Sequence, residues 1–275
     1  MGIFDGWIMV SDIDGTLIGD DCVLNEKDIE AVSHFTKEGG TFVLATGRST
    51  GSAKRFYDQL GLSTPMIANN GTVVRDFSVD RLTYTDFLDD NAADLVSYVY
   101  DNYPEAGIEV YGEKEVFFLR HNQMVDEHIA RESLPLLDET LLTVPKPWSK
   151  ILFAIDPPLM DSFRAFIATS PFKNDFFFAQ SAPFFYEASK LNASKGKAVS
   201  HVVSQLGFSC ERLITIGDNE NDVKMLSLTP HSFAVNNATE YAKEAAKYIT
   251  RSSGAVGGAV AEAITLIQNK LTKEE

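Results

Sequence analysis

The chain has 275 residues, of which 44% are hydrophobic and 23% charged, a balance typical of a globular protein with one large core or two smaller ones. The formal net charge of −15 argues against a nucleic-acid or anionic-membrane surface, since both need clustered Lys and Arg. Cys22 and Cys210 are too few for a disulfide scaffold or a thiolate metal site, so we interpret them as free thiols. The first residues lack a basic, apolar leader and no run is long enough to span a membrane, so we expect a cytoplasmic protein.

Strands and helices alternate over the first third of the chain. The pattern predicts a strand at 8–10, a helix that Asn25 caps and Gly39-Gly40 ends, a strand at 41–46, a helix to about Leu60 and a strand at 65–68. Polar residues follow each strand directly. This order is typical of a doubly wound parallel sheet, in which ligands bind at the carboxyl ends of the strands.

The pattern changes after Gly71. It predicts a strand pair over 72–87, a helix at 91–103, a strand at 115–119, a short helix at 126–133, and then strand, helix and strand at 150–155, 161–169 and 174–179. This stretch has its own aromatic residues and its own proline-containing loops. We therefore predict an inserted α+β domain over residues 84–187.

The strand–helix alternation resumes at Ala193. The pattern predicts a helix through Leu206, strands at 213–217 and 232–235, a further helix, a short strand at 248–250 and a closing helix at 256–271. Residues 1–83 and 188–275 are accordingly predicted to fold together as one α/β core.

Two aspartates, Asp12 and Asp14, end the first apolar run. A D-x-D pair is common and weak on its own. Two carboxylates this close repel each other unless a cation lies between them. Gly15 permits a sharp turn directly after the pair, and Thr16 can hydrogen-bond within that turn.

Three further groups follow predicted strands or open a predicted helix. Thr46-Gly47-Arg48 offers a hydroxyl and backbone N–H groups at a helix start, where a phosphate can rest. Lys195 supplies a point charge for a phosphate or a carboxylate. The stretch Gly217–Asp222 follows the strand at 213–217 and carries oxygen ligands of the kind that Mg²⁺ prefers.

Together these residues resemble the haloacid dehalogenase (HAD) superfamily of aspartyl phosphotransferases, and in particular the Cof-type phosphatases with a large, C2-type cap domain. The matching stretches are DIDGTL (12–17), ATGR (45–48), NNG (69–71), KG (195–196) and GDNENDVKML (217–226). Their order and spacing also match, and they span nearly the whole core. The resemblance implies a HAD-like, Rossmannoid core with an inserted cap that restricts the substrate to a small molecule.

The resemblance also implies a catalytic and metal-binding role for each acidic residue. Asp12 would be the nucleophile that forms an aspartyl-phosphate, and Asp14 the acid and base that serves the leaving group and then the water. Mg²⁺ would be held by the Asp12 carboxylate, the Asp14 main-chain carbonyl and Asp218. Asp222 would orient one of the metal-bound waters, or Lys195, and Asn221 is a less certain ligand; both are candidates for metal binding, direct or through water.

The remaining matching residues are implied to hold the phosphate. Thr46 and Lys195 would take the phosphoryl oxygens, and Gly47, Arg48 and Asn70 would lie against the same group. Plainer roles stay open for three of them. Thr46 could simply cap the following helix, Arg48 could pair with a structural carboxylate, and Asn70 could be a turn residue.

Three functions compete. The first is a Mg²⁺-dependent phosphatase for small phosphorylated metabolites such as sugar phosphates or phosphorylated cofactors, with no nucleic-acid, membrane or protein partner implied. The second is a sugar phosphomutase of the phosphomannomutase type, which would need clustered cations in the inserted domain, where Lys and Arg are scattered. The third is a non-catalytic phosphate-binding module. Loss of Asp12, Asp14 or Lys195 would indicate the third, and all are present.

Overall fold

The structure, a computed structural model, describes residues 2–274, and its contacts divide the chain into two units. The first unit holds the chain up to Arg48, residues Ala53–Tyr84 and everything from Ser194 onwards. The second holds Ser49–Ser52 and Thr85–Ala193. The predicted boundary at residue 187 falls inside a strand, Phe185–Lys190, that pairs with a neighbour on each side.

The elements alternate in type along most of the chain. The first are β1 (Ile8–Ser11), α1 (Glu26–Lys37), β2 (Thr41–Leu44), α2 (Thr50–Gln59), β3 (Met66–Ala68), β4 (Val73–Asp76) and β5 (Arg81–Thr85). Then come α3 (Ala92–Asn102), β6 (Gly107–Tyr111), β7 (Val116–Arg120), α4 (Gln123–Glu132), β8 (Lys150–Ala154), α5 (Met160–Thr169), β9 (Phe176–Ala182) and β10 (Phe185–Lys190). The last are α6 (Lys195–Gln205), β11 (Leu213–Gly217), α7 (Val223–Leu226), β12 (His231–Ala234), α8 (Glu240–Ala245), β13 (Tyr248–Ile249) and α9 (Ala259–Glu274).

The first unit is built on a parallel sheet with the strand order β13-β12-β11-β1-β2. Beyond β2, a single parallel bridge joins Ala45 to Ile67 of β3. Strand β3 then pairs antiparallel with β4, so the third predicted strand ends the parallel sheet and begins a small second one. The α/β class predicted from the alternation of strands and helices is confirmed.

Helices cover both faces of the parallel sheet. Successive residues of a strand point to opposite faces, and all four residues of β1 are buried. Ile8 and Val10 belong to the core cluster that includes Val199 of α6. Met9 belongs to the cluster that includes Phe35 of α1 and residues of α9. This two-sided burial explains why the strand is an uninterrupted apolar run.

The closing helix α9 begins three residues later than the sequence pattern predicts. Gly257 and Gly258 have φ angles of +77° and +87°, which a right-handed helix cannot contain. The buried carboxylate of Asp28, on α1, accepts the backbone N–H groups of Gly258 (2.7 Å) and Ala261 (2.8 Å). The start of α9 is therefore set by a contact with a residue 230 positions earlier in the sequence.

The second unit is built on an antiparallel sheet with the order β7-β6-β8-β10-β9. Residues of α3 and α5 pack with one face, and residues of α4 and the loop after it pack with the other. Strands β6 and β10 were not predicted from the sequence. Each carries a glutamate at a buried position, Glu109 and Glu187, which interrupts the apolar pattern by which strands are recognised.

Buried charges meet on the α4 side of this sheet. His128 Nδ1 lies 2.9 Å from Glu109 Oε1, and His128 Nε2 lies 3.3 Å from Glu132 Oε1. We call Glu109, His128 and Glu132 the histidine cluster. Burial alone would lower the pKa of His128, but the two carboxylates outweigh it and raise the pKa to about 9. The imidazole is therefore a cation at neutral pH.

Among the described residues, no helix is both long and apolar enough to cross a membrane.

Candidate functional site

The loops that follow β1, β2, β3 and β11 carry the polar residues of the motifs. Asp12 comes directly after β1, and its N–H donates to Ile216 O of β11 at 3.0 Å. Gly15 has a φ of +74°, and a Cβ there would collide with the Asp218 carboxylate. Glycine is therefore required at this position both by the turn and by the close approach of the loop after β11.

Lys195 is the buried cation of the site. It begins α6, whose first turn is capped by the Ser194 side chain. Its Nζ lies 2.6 Å from Asp12 Oδ1 and 2.7 Å from Asp222 Oδ1. Burial alone would lower the pKa of Lys195, but the carboxylates of Asp12 and Asp222 outweigh it and raise the pKa above its usual value. Lys195 is thus held as an ammonium ion between two acids.

Asp222 is an anchor within the fold. Its Oδ1 accepts from Lys195, and its Oδ2 accepts the backbone N–H groups of Asp218 (2.9 Å) and Asn219 (3.1 Å). The side chain is fully buried. Because both oxygens already bind donors of the protein, Asp222 fixes Lys195 and the loop, and it is a weaker candidate for a metal ligand than the motif suggests.

Asp12, Asp218 and Asp222 each present a carboxylate oxygen within 4.8 Å of the others. We call these three residues with Lys195 the acidic cluster. Burial raises the pKa of Asp12 to about 7 despite the opposing charge of Lys195, and the neighbouring carboxylates of Asp222 and Asp14 add to the rise. The pKa of Asp218 is raised as well, by burial and then by Asp12 and Asp222.

The donor set of the acidic cluster fits a hard divalent cation. Three carboxylates against one ammonium leave a formal surplus of two negative charges when all are ionised. The Asn221 Oδ1 nearby is a buried acceptor without a hydrogen-bond donor. Carboxylate and amide oxygens are the ligands that Mg²⁺ prefers, whereas sulfur and imidazole ligands are absent from this group.

Thr46, Gly47 and Asn70 come together beside Asn221. Thr46 is fully buried, and its Oγ1 accepts the Arg48 N–H at 3.1 Å, so it caps the turn before α2. Asn70 has a φ of +57°, and its N–H donates to Thr46 O at 3.0 Å. Its Oδ1 accepts from Asn221 Nδ2 at 2.9 Å and lies 3.0 Å from where a Cβ of Gly47 would be. The loops after β2, β3 and β11 are thereby tied together.

Arg48 lies against Asp14. Its Nε donates to Asp14 Oδ2 at 2.8 Å and its Nη2 to Asp14 Oδ1 at 2.6 Å. The alternative that Arg48 pairs with a carboxylate is the one the structure supports. The phosphate contact of Arg48 stays a prediction, and the edge of the guanidinium formed by Nε and Nη2 faces an aspartate.

The structure thus brings the predicted residues to one edge of the sheet but sorts them into three groups. The acidic cluster forms the first, the amide pair of Asn70 and Asn221 with Thr46 and Gly47 the second, and the Arg48–Asp14 pair the third. The pairing of Asn70 with Asn221 was missed, since the two residues lie 151 positions apart. Both residues follow the carboxyl end of a strand, β3 and β11, and that was the signal available in the sequence.

Sequence comparisons give relatives along most of the chain. A family model described as haloacid dehalogenase-like hydrolase matches residues 9–264. The Bacillus subtilis protein YxeH is 31% identical over 268 residues, which cover 94% of this chain and 96% of YxeH. The Bacillus subtilis 5-amino-6-(5-phospho-D-ribitylamino)uracil phosphatase YcsE is 24% identical over 262 residues, 94% of either chain.

Solved structures share the fold. A haloacid dehalogenase-like hydrolase from Bacteroides thetaiotaomicron superposes with a TM-score of 0.85 at 23% identity, over 95% of this chain and 99% of that one. A sugar phosphatase of HAD subclass IIB superposes with a TM-score of 0.80 at 17% identity, over 96% and 98%.

Proposed function

This chain belongs to the haloacid dehalogenase-like hydrolase family, and from that premise we propose that it is a Mg²⁺-dependent phosphatase acting on small phosphorylated metabolites through an aspartyl-phosphate. The proposed substrates are sugar phosphates or phosphorylated cofactors. The observation that carries the proposal is the buried Asp12 carboxylate, 2.6 Å from Lys195 Nζ and within an acidic cluster of three carboxylates and one ammonium. A carboxylate in this setting can attack phosphorus with the repulsion between two anions offset.

In the first proposed step, Asp12 is the nucleophile. One of its oxygens bonds to phosphorus while the bond from phosphorus to the leaving oxygen breaks with its electron pair. Asp14 donates a proton to that oxygen, so the product leaves as an alcohol. Lys195 and the Thr46 hydroxyl stabilise the charge on the phosphoryl oxygens, together with Gly47 and Asn70 of the same loops.

In the second proposed step, water releases the phosphate. Asp14, now a carboxylate, takes a proton from the water while the water oxygen attacks phosphorus. The bond between phosphorus and Asp12 breaks, and inorganic phosphate and the free Asp12 carboxylate result. Both steps use the same pair of aspartates, one as nucleophile and the other as acid and then base.

The proposed Mg²⁺ ligands are the carboxylates of Asp12 and Asp218 and the main-chain carbonyl of Asp14. When bound, the ion supplies positive charge that offsets the phosphate and the surplus of the acidic cluster. Asn221 remains a candidate ligand because of its buried Oδ1. Asp222 is proposed to act through Lys195, since its oxygens are engaged there and in the loop.

We also propose that the second unit selects the leaving group. Several of its cations are engaged by the protein, which favours water over a second sugar phosphate as the acceptor. Arg120 donates to the Tyr103 carbonyl at 3.0 Å, Lys150 to Glu187 at 3.0 Å, and Lys146 lies 3.4 Å from Asp90. A phosphomutase would need cations there for a second phosphate group.

The test is the release of phosphate from p-nitrophenyl phosphate with and without Mg²⁺. Wild type should show Mg²⁺-dependent turnover, and Asp12→Asn should lower kcat by about 10⁴-fold or more, because an amide is not a nucleophile. Asp58→Asn is the matched control. Asp58 is an exposed acid that pairs with Lys54 on α2, and its variant should stay within about twofold of wild type.

The outcomes separate the candidate functions. Turnover that survives in Asp12→Asn would contradict the assignment of the nucleophile. Conversion of a hexose 1-phosphate to its 6-phosphate without release of phosphate would identify a mutase. A wild type that hydrolyses no phosphate ester in a metabolite panel would contradict the phosphatase proposal.

A further inference from the structure

The contact between Arg48 and Asp14 has the geometry of the strongest ion pairs in proteins. Two nitrogens of one guanidinium donate to the two oxygens of one carboxylate, at 2.8 and 2.6 Å. A bidentate pair fixes the plane of the carboxylate as well as its position, which a single hydrogen bond does not. The loops after β1 and β2 are joined by this contact.

Arg48 is itself held firmly. Its side chain is only 2% exposed, and the guanidinium carbon lies 5.2 Å from the centre of the Phe56 ring. The N–H of Arg48 is bound by Thr46 Oγ1, and its Nη2 is 3.6 Å from Cys22 Sγ. A guanidinium restrained by a ring and by packing has little rotamer freedom, so it can orient a partner.

Asp14 is the more exposed partner in this pair. Its side chain is 51% exposed, and an exposed aspartate without a fixed partner samples several rotamers. Each carboxylate oxygen keeps a further lone pair beyond the one that Arg48 uses. Asp14 can therefore accept a proton from a water molecule while its orientation stays fixed.

We propose that Arg48 is a positioning residue, which holds Asp14 in the orientation in which it activates water for hydrolysis of the aspartyl-phosphate. The inference rests on the proposed function, since it assigns Arg48 a part in the second of the two steps. Loss of Arg48 leaves the attack of Asp12 on an activated aryl phosphate largely intact, because a good leaving group needs no proton. It slows the hydrolysis of the intermediate, which then accumulates.

The test is rapid mixing of excess p-nitrophenyl phosphate with wild type, Arg48→Lys and Arg48→Ala, followed by acid quench to trap the phosphorylated protein. In Arg48→Ala we expect a burst of nitrophenol equal to the enzyme concentration, accumulation of phosphoenzyme, and a kcat about 10²-fold below wild type. Arg48→Lys keeps the buried cation but not the bidentate geometry, and its kcat should fall between the two. Added guanidinium ion should raise the kcat of Arg48→Ala.

Arg55→Lys is the matched control, because Arg55 lies 4.5 Å from the same Phe56 ring and belongs to none of the three groups of the site. It should show no burst. A higher KM in the Arg48 variants with unchanged kcat and no burst would overturn the inference in favour of phosphate binding. If Arg48→Ala does not fold, Arg48→Lys decides by the same burst. A wild type without turnover or phosphoenzyme would overturn the proposed function, and the inference with it.

Discussion

The acidic cluster of the first unit and the histidine cluster of the second are both buried, but their charges balance differently. Three carboxylates face the single ammonium of Lys195 in the first. In the second, the cationic His128 lies between Glu109 and Glu132, and the Tyr111 hydroxyl donates to Glu109 at 3.3 Å. With all carboxylates ionised, the acidic cluster carries a formal surplus of two negative charges and the histidine cluster a surplus of one.

The backbone around the two clusters differs as well. The acidic cluster lies in loops at strand ends, where Gly15 and Gly217 leave room beside the carboxylates. The histidine cluster joins the middle of β6 to α4, with the Phe185 ring centre 4.7 Å from that of His128. Burial of charge therefore does not by itself mark a functional site. The charge surplus and the position at strand ends do.

The largest effect that separates the clusters is expected for Lys195→Met. Removal of the ammonium leaves buried carboxylates unpaired, so the free energy of unfolding should fall by about 3 kcal/mol or more. Turnover of p-nitrophenyl phosphate should fall by about 10²- to 10³-fold, because the charge that faces the phosphate is lost. Urea unfolding and kcat measure the two effects. Lys197→Met, at an exposed position of the same helix, should change neither appreciably, and equal effects at both lysines would contradict the comparison.

His128→Leu should break the other cluster without affecting catalysis. Glu109 and Glu132 lose the cation between them, so the free energy of unfolding should fall by about 3 kcal/mol while kcat stays near wild type. His121→Leu is the control, since His121 also lies between two acids but its side chain is 36% exposed, and the expected loss is below about 1 kcal/mol. If urea unfolding gave equal losses of free energy for the two variants, burial of the histidine cluster would add nothing to its stabilising effect.

The last prediction is a pH dependence carried by His128. Its folded pKa of about 9 lies above the unfolded value of 6.5, so protonation favours the folded state. Wild type should exceed His128→Leu in unfolding free energy by a constant amount below about pH 6.5. The difference should shrink as pH rises through about 9 and His128 loses its proton. The titratable groups around the imidazole are Glu109, Glu132 and Tyr111. A difference that stays constant to pH 10 would contradict a protonated His128.

Much of the first unit could be predicted because its signals are local. The apolar run of β1, the cap at Asn25 and the glycines after strands each depend on near neighbours in sequence, and the structure shows them where expected. The strands of the second unit were harder to predict from the sequence. Glu109 and Glu187 look like loop residues until their partners, His128 and Lys150, are brought close by the fold.

The sequence by itself determined the α/β class and the loops that hold the proposed site residues, because period, turns and motif order are properties of short segments. Only the tertiary structure decided which groups touch. For Asp222 the sequence left open whether it serves the metal or orients Lys195, and in the structure it binds Lys195, 27 residues away. For Arg48 the sequence left open a contact with the phosphate or a pair with a carboxylate, and in the structure it pairs with Asp14, 34 residues away. A charged side chain takes its role from the charge beside it, and that neighbour is fixed by packing of distant segments.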